Sequence, residues 1–265
     1  MKSRSSHALG AAVAVPLLAL LVPGGTAAAA PASVALAGSF QSELGCTSDF
    51  NIACAQTALL YNSFDDVWRR SLAIPAGNWS YVGALDGSFA NQVGRNATPG
   101  GANIPFSLAA GQTVNFYYDD KTHWLTDSIS ATIAVLAGSF QSELGCTSDF
   151  NPGCLRSWLQ DPDGDGIYSF TTTLIPAGSY STVVAINESF AQTYGLGGTP
   201  GGGNINFTAP GGGMPLTFLY NGATHLLQIL PGNDPVPVPE PGALGLFGLG
   251  LAGLLLAQGL RRRPG

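Results

Sequence analysis

The feature that most restricts this chain is a duplication. Residues 37–51 recur unchanged as residues 137–151, fifteen positions at a period of 100. Fainter echoes continue to the end of each half. Ile74-Pro75-Ala76-Gly77 returns as Ile175-Pro176-Ala177-Gly178, Ser88-Phe89-Ala90 as Ser189-Phe190-Ala191, and Thr122-His123 as Thr224-His225, the offset growing only to 102. Such a period is longer than the ~20–50 residues of solenoid repeats and matches a free-standing domain. Two tandem modules are therefore expected, over 31–131 and 132–231.

Inside a module the pattern is of short strands separated by turn chemistry. Val34-Ala35-Leu36-Ala37 opens the first copy, residues 67–74 read as a strand closed by Pro75-Ala76-Gly77, and residues 78–85 alternate up to Asp86-Gly87. Phe116-Tyr117-Tyr118 and Trp124-Leu125 flank a turn, and the second copy places Asn221-Gly222, a strong hairpin signal, at the corresponding turn. No stretch keeps a 3.6-residue period with caps. The fold class expected is all-β: two tandem antiparallel immunoglobulin-like β-sandwiches.

The ends read differently. Lys2 and Arg4, an apolar run over 8–22 and small residues up to Ala30 make an export signal cleaved near Ala30. The run is too short to span a bilayer comfortably. Between 31 and 241, five basic residues (Arg69, Arg70, Arg95, Lys121, Arg156) face sixteen acidic ones, a net −11 that argues against nucleic acid and anionic lipid as partners. Export also bears on the cysteines. Cys46/Cys54 and Cys146/Cys154 share one spacing, which favours two local disulfides. A metal site would need further ligands, and His123 and His225 lie far along the chain.

After a Pro-rich linker over 232–241 come nineteen residues without a charge, 242–260, and then Arg261, Arg262 and Arg263. At 1.5 Å per residue this segment reaches roughly 28 Å, enough for one transmembrane helix, and the arginines predict a cytoplasmic C-terminus. The tripartite end closely resembles the PEP-CTERM sorting signal of Gram-negative bacteria. That resemblance makes Pro239, Glu240 and Pro241 the recognition residues for exosortase, a membrane protease; an ordinary single-pass anchor is the alternative.

The modules carry a second resemblance. Residues 38–46, Asp49-Phe50-Asn51, Cys54, Asp65-Asp66-Val67-Trp68, Gly100-Gly101-Ala102-Asn103-Ile104 and the stretch from Phe116 to His123 look like the accessory β-sandwich found beside the catalytic domain of bacterial pullulanases and amylopullulanases. The resemblance implies a non-catalytic role in binding or spacing α-glucan. The family tends to carry Trp where this chain has Phe50 and Phe150, and a larger aromatic at Phe89 and Phe190. Sugar rings stack on exposed aromatic faces, so Trp124, Tyr194, Trp68, Phe89 and Phe190 are the candidate carbohydrate contacts. Trp124 is expected to be exposed because Leu226 stands at its place in the other copy and it sits just past a hairpin turn, and Tyr194 because it lies in the Gly-rich loop 194–203. Trp79, Tyr81 and Leu85 alternate with the period of a buried strand face.

Catalysis has no visible carrier. Glu43 with Asp49 and Glu143 with Asp149 could be taken for glycosidase carboxylates, but within Cys-bounded loops they fit side-chain to backbone hydrogen bonding better. Asp161, Asp163 and Asp165 mimic the start of a calcium loop, yet Thr172 stands where a bidentate Glu is needed. A plain acidic turn or a weak calcium site remains. No cofactor is implied. The expectation is an exported, envelope-sorted, non-enzymatic protein that binds or spaces extracellular polysaccharide, or else a structural matrix component without a ligand.

Overall fold

A computed structural model describes residues 30–232. The export signal ahead of Ala30, the sorting residues Pro239, Glu240 and Pro241, the apolar segment 242–260 and Arg261, Arg262 and Arg263 lie outside the described residues. Within them the regular structure is sixteen strands and six short 3-10 turns.

The first module contains β1 (Val34–Gly38), β2 (Leu60–Asn62), β3 (Val67–Ile74), β4 (Gly77–Leu85), β5 (Ser88–Val93), β6 (Ile104–Leu108), β7 (Gln112–Asp119) and β8 (Trp124–Asp127). Long β4 organises one sheet: β1 pairs with its C-terminal half, while β6 and β5 pair with successive parts of it. The other sheet runs β2-β3-β7-β8. All pairings are antiparallel. Pro75 ends β3 because it has no N–H to give a ladder. Aromatic rings from the two sheets interlock as in a sandwich core. Tyr81 of β4 meets Phe116 of β7 edge-on at 5.1 Å between centroids, and Phe106 of β6 and Phe40 close the cluster.

The second module repeats the plan with β9 (Ala134–Gly138), β10 (Trp158–Leu159), β11 (Ile167–Thr172), β12 (Gly178–Ile186), β13 (Ser189–Tyr194), β14 (Ile205–Ala209), β15 (Leu216–Asn221) and β16 (Leu227–Pro231). Phe140, Phe207 and Phe218 rebuild the aromatic cluster. The segment before the second sheet touches both sheets in each copy: Ala58 bridges Ala35 as Trp158 pairs with Val135, and Leu60 pairs with Arg69 as Gln160 bridges Ser169.

The unchanged fifteen-residue segment is explained by one buried side chain. Gln41 Oε1 accepts from the N–H of Gly38 and Asn51, and its Nε2 donates to Leu36 O, Asn51 O and Thr57 Oγ1 at 2.7–3.0 Å. Gln141 repeats this with Gly138, Asn151 and Ser157. An amide so used has no spare donor or acceptor, so its whole surroundings are constrained. Asp49 and Asp149 accept from the backbone N–H and hydroxyl of Ser42 and Ser142, ordering the loop from its outer side. Disulfides Cys46–Cys54 and Cys146–Cys154 close it.

The connection between the modules, from β8 to β9, is pinned by Asp127. This fully buried carboxylate accepts from the N–H of Ile129 and Ser130, from Ser130 Oγ and from Tyr81 Oη at 2.7–2.8 Å. Burial, and then the Asp127 charge, hold the Tyr81 phenol well above its ordinary pKa, so it stays a donor. The link is a structured turn.

Candidate functional site

The modules do not pack as separate beads. Val67, Tyr117 and Trp124 of the first belong to the same buried cluster as the core of the second. Trp124 opens β8 with its side chain 4% exposed, and its indole lies 4.8 Å from that of Trp158 on β10. Tyr117 approaches the same indole at 5.7 Å. The expectation that Trp124 is exposed is therefore corrected: the neighbouring module covers it. Trp158 pairs with Val135 of β9 as Ala58 bridges Ala35 in the first copy, so the contact comes from the indole that stands where the first copy has a methyl group.

Polar groups surround the indoles. Arg69 on β3 bridges Asp65 and Glu188, both at 2.9 Å, and lies over the Tyr117 ring at 5.4 Å. Tyr117 Oη donates to Glu188 as well. Burial alone would lower the Arg69 pKa; Glu188 and Asp65 more than offset this and hold the guanidinium above its ordinary value. Glu188 sits at φ +55°, in the β12–β13 turn where the first module has Gly87 at φ +66°. A Glu in this left-handed conformation is strained, and its three contacts across the junction retain it there. Arg156 donates to Ser63 O and Phe64 O, each at 2.8 Å, and Gln160 Nε2 to Asp119 Oδ2 at 2.7 Å.

Beside this contact lies a pocket of about 430 Å³ lined from both modules, with Asp119 and Lys121 on one side and Trp158, Gln160, Phe170 and Thr171 on the other. Sequence reading passes over Trp158, Gln160, Arg69 and Glu188. The usable signal was where the copies diverge: Ala58, Leu60 and Gly87 become Trp158, Gln160 and Glu188.

The remaining predicted contacts separate into buried and exposed. Tyr194 closes β13 and is 6% exposed, stacked on His225 at 3.7 Å, which corrects its expected loop position. His225 Nδ1 in turn lies 2.8 Å from Tyr220 Oη, as His123 Nδ1 lies 3.1 Å from Tyr118 Oη. Trp68 is half-buried against the first core and 5.5 Å from Tyr61. Phe89 and Phe190, on β5 and β13, are 43% and 51% exposed at equivalent positions of the two modules. Phe50 and Phe150 form a second exposed pair, each at positive φ.

The acidic turn brings carboxylate oxygens of Asp161, Asp163 and Asp165 within 4.8 Å of one another. Asp161 is already engaged by the N–H groups of Gly164, Asp165 and Gly166, and Asp165 by that of Ile167.

Both modules resemble known proteins. The pullulanase X25 domain matches twice, over residues 33–125 and 133–227, and a PEP-CTERM protein-sorting motif matches 237–263. The chain is 31% identical over 204 residues to an amylopullulanase of Thermoanaerobacter thermohydrosulfuricus, covering 74% of this chain and 13% of that protein. It is 30% identical over 198 residues to an amylopullulanase of Thermoanaerobacterium saccharolyticum, covering 72% and 15%. The chain thus spans only a small part of these curated relatives. Among solved structures, a pullulanase from Bacillus acidopullulyticus aligns over 76% of this chain and 28% of its own, at 15% identity and a TM-score of 0.33. With both of its modules matched over nearly their whole length, the chain belongs to the pullulanase X25 domain family.

Proposed function

We propose that this is an exported, non-catalytic protein that binds extracellular polysaccharide of the α-glucan kind and is sorted to the cell envelope through its C-terminal motif. The observation that carries the reading is the repeat-related exposure of Phe89 and Phe190. Most aromatic side chains of both modules are withdrawn into cores, and an exposed ring offers a flat apolar face to a pyranose. Two such rings on one body give two points of attachment to a single polymer, and linked weak contacts reinforce one another without new chemistry. Similarity to parts of amylopullulanases supports α-glucan as the ligand class. The sorting motif supports processing by an exosortase-type membrane protease, with Pro239, Glu240 and Pro241 as its recognition residues and a membrane segment following them. The product belongs at the cell surface or in the extracellular matrix.

Affinity electrophoresis tests the binding. Mobility of the protein through native gels containing starch or pullulan is expected to fall relative to a plain gel, and the Phe89→Ala/Phe190→Ala variant to regain most of it. Equal mobility of the wild-type protein in every gel sinks the reading and leaves a structural matrix component.

A further inference from the structure

We propose that the pocket at the module junction is a binding site for a short, uncharged saccharide, one or two of whose hexose units it holds, an inference that rests on the glucan-binding reading. The pocket's volume of about 430 Å³ falls in the ~300–1,000 Å³ range of small-molecule sites. Its walls come from both modules, so neither copy has it alone.

The case stands on two unpaired atoms. Trp158 Nε1 and Gln160 Oε1 are buried and have no hydrogen-bond partner among the described residues, and both side chains line this pocket. Trp158 is 2% and Gln160 6% exposed. Buried polar atoms are almost always paired, and an orphan costs ~1–3 kcal/mol. One atom is a donor and the other an acceptor. A sugar hydroxyl both donates and accepts, so a single ligand class suits the two.

The charges around the pocket exclude an ionic occupant. Lys121 Nζ lies 3.2 Å from Asp66 and 3.1 Å from Asp119, and Arg156 3.9 Å from Asp66. Acids and bases are already matched to one another, so an anion or cation would have to break a pair. A neutral polyol uses the lone pairs and N–H groups left over. Thr171 and Thr172 are also among the lining residues, while Leu155 and Phe170 supply apolar surface for the ring's C–H face.

The test titrates the intact protein with maltotriose, reading tryptophan fluorescence and calorimetric heat. Saturable binding is expected, weakened at least tenfold in Gln160→Met, which removes the acceptor, and in Ser169→Trp, which fills the pocket from an exposed position on β11. Thermal melts of both variants check that they fold. If Ser169→Trp folds and binds maltotriose as the wild type does, the junction is not the site. If the wild-type protein is retarded in pullulan gels but does not bind maltotriose, the junction inference falls and the glucan-binding reading stands. Failure of both retardation and titration overturns the two together.

Discussion

The indoles of Trp124 and Trp158 lie 4.8 Å apart across the boundary between the two modules, each almost wholly withdrawn from water. A tandem repeat is expected to give two like domains joined by a tether. Here the second copy carries side chains, absent from the first, that make the boundary a shared core.

Replacing Trp158 by Ala removes one of the two largest side chains of that shared core. Large-to-small changes of this kind cost ~3–5 kcal/mol. The expected outcome in urea is a shift from one coincident transition to two, because each module keeps its own aromatic cluster. Retention of a single transition at an unchanged midpoint would contradict the junction described here.

Glu188 accepts from both Arg69 and Tyr117. Glu188→Gln should cost about 1–3 kcal/mol, since it leaves a half-buried guanidinium without its main counter-charge. A double-mutant cycle with Arg69→Met checks this by stability measurements. Coupling of about 1 kcal/mol or more is expected, whereas strict additivity would mean that the pair contributes nothing.

Gln41→Leu keeps the approximate volume of the side chain but strips its amide. The N–H groups of Gly38 and Asn51 and the carbonyls of Leu36 and Asn51 then lose partners. The expected loss is about 2–4 kcal/mol. Gln141→Leu should behave alike, and the comparison of their denaturation midpoints shows whether the segment serves the same end in both copies.

Acid should act through Asp66. Its burial pushes the carboxyl pKa up, but the Tyr61 hydroxyl, Lys121 and Arg156 outweigh this and leave it below the ordinary 3.8. A depressed folded pKa adds stability above the unfolded value, and that stability is lost as pH falls through the folded one. The melting temperature of Asp66→Asn should therefore fall less steeply than that of the wild type below pH 3.8. Asp161, raised chiefly by burial, works with the opposite sign. Parallel acid limbs for wild type and Asp66→Asn would show that the cluster makes no contribution.

Much of the fold was legible because its causes are local. Pro75 and Gly77 bound β3 and β4 where the turn chemistry placed them, and the spacing of Cys46 and Cys54 anticipated the bond between them. The site was less legible, because exposure depends on what lies across a boundary. Trp124 was expected at the surface, where a hairpin end would put it in an isolated module; a neighbour that the strand pattern does not reveal covers it. Tyr194 was read into a Gly-rich loop, but it is the last residue of β13 and its ring stacks on His225, thirty-one residues on. Both cases follow from partners distant in sequence. The divergence between copies, Ala58 against Trp158 and Gly87 against Glu188, was the one written trace of the junction.

Scanning calorimetry of the intact protein with and without pullulan tests the account most directly. A single cooperative transition is predicted, because the modules share a core. Pullulan should move it to higher temperature, because a ligand bound only by the folded state stabilises that state. Two separate transitions, neither displaced by pullulan at any concentration, would contradict both the joined architecture and the glucan-binding function.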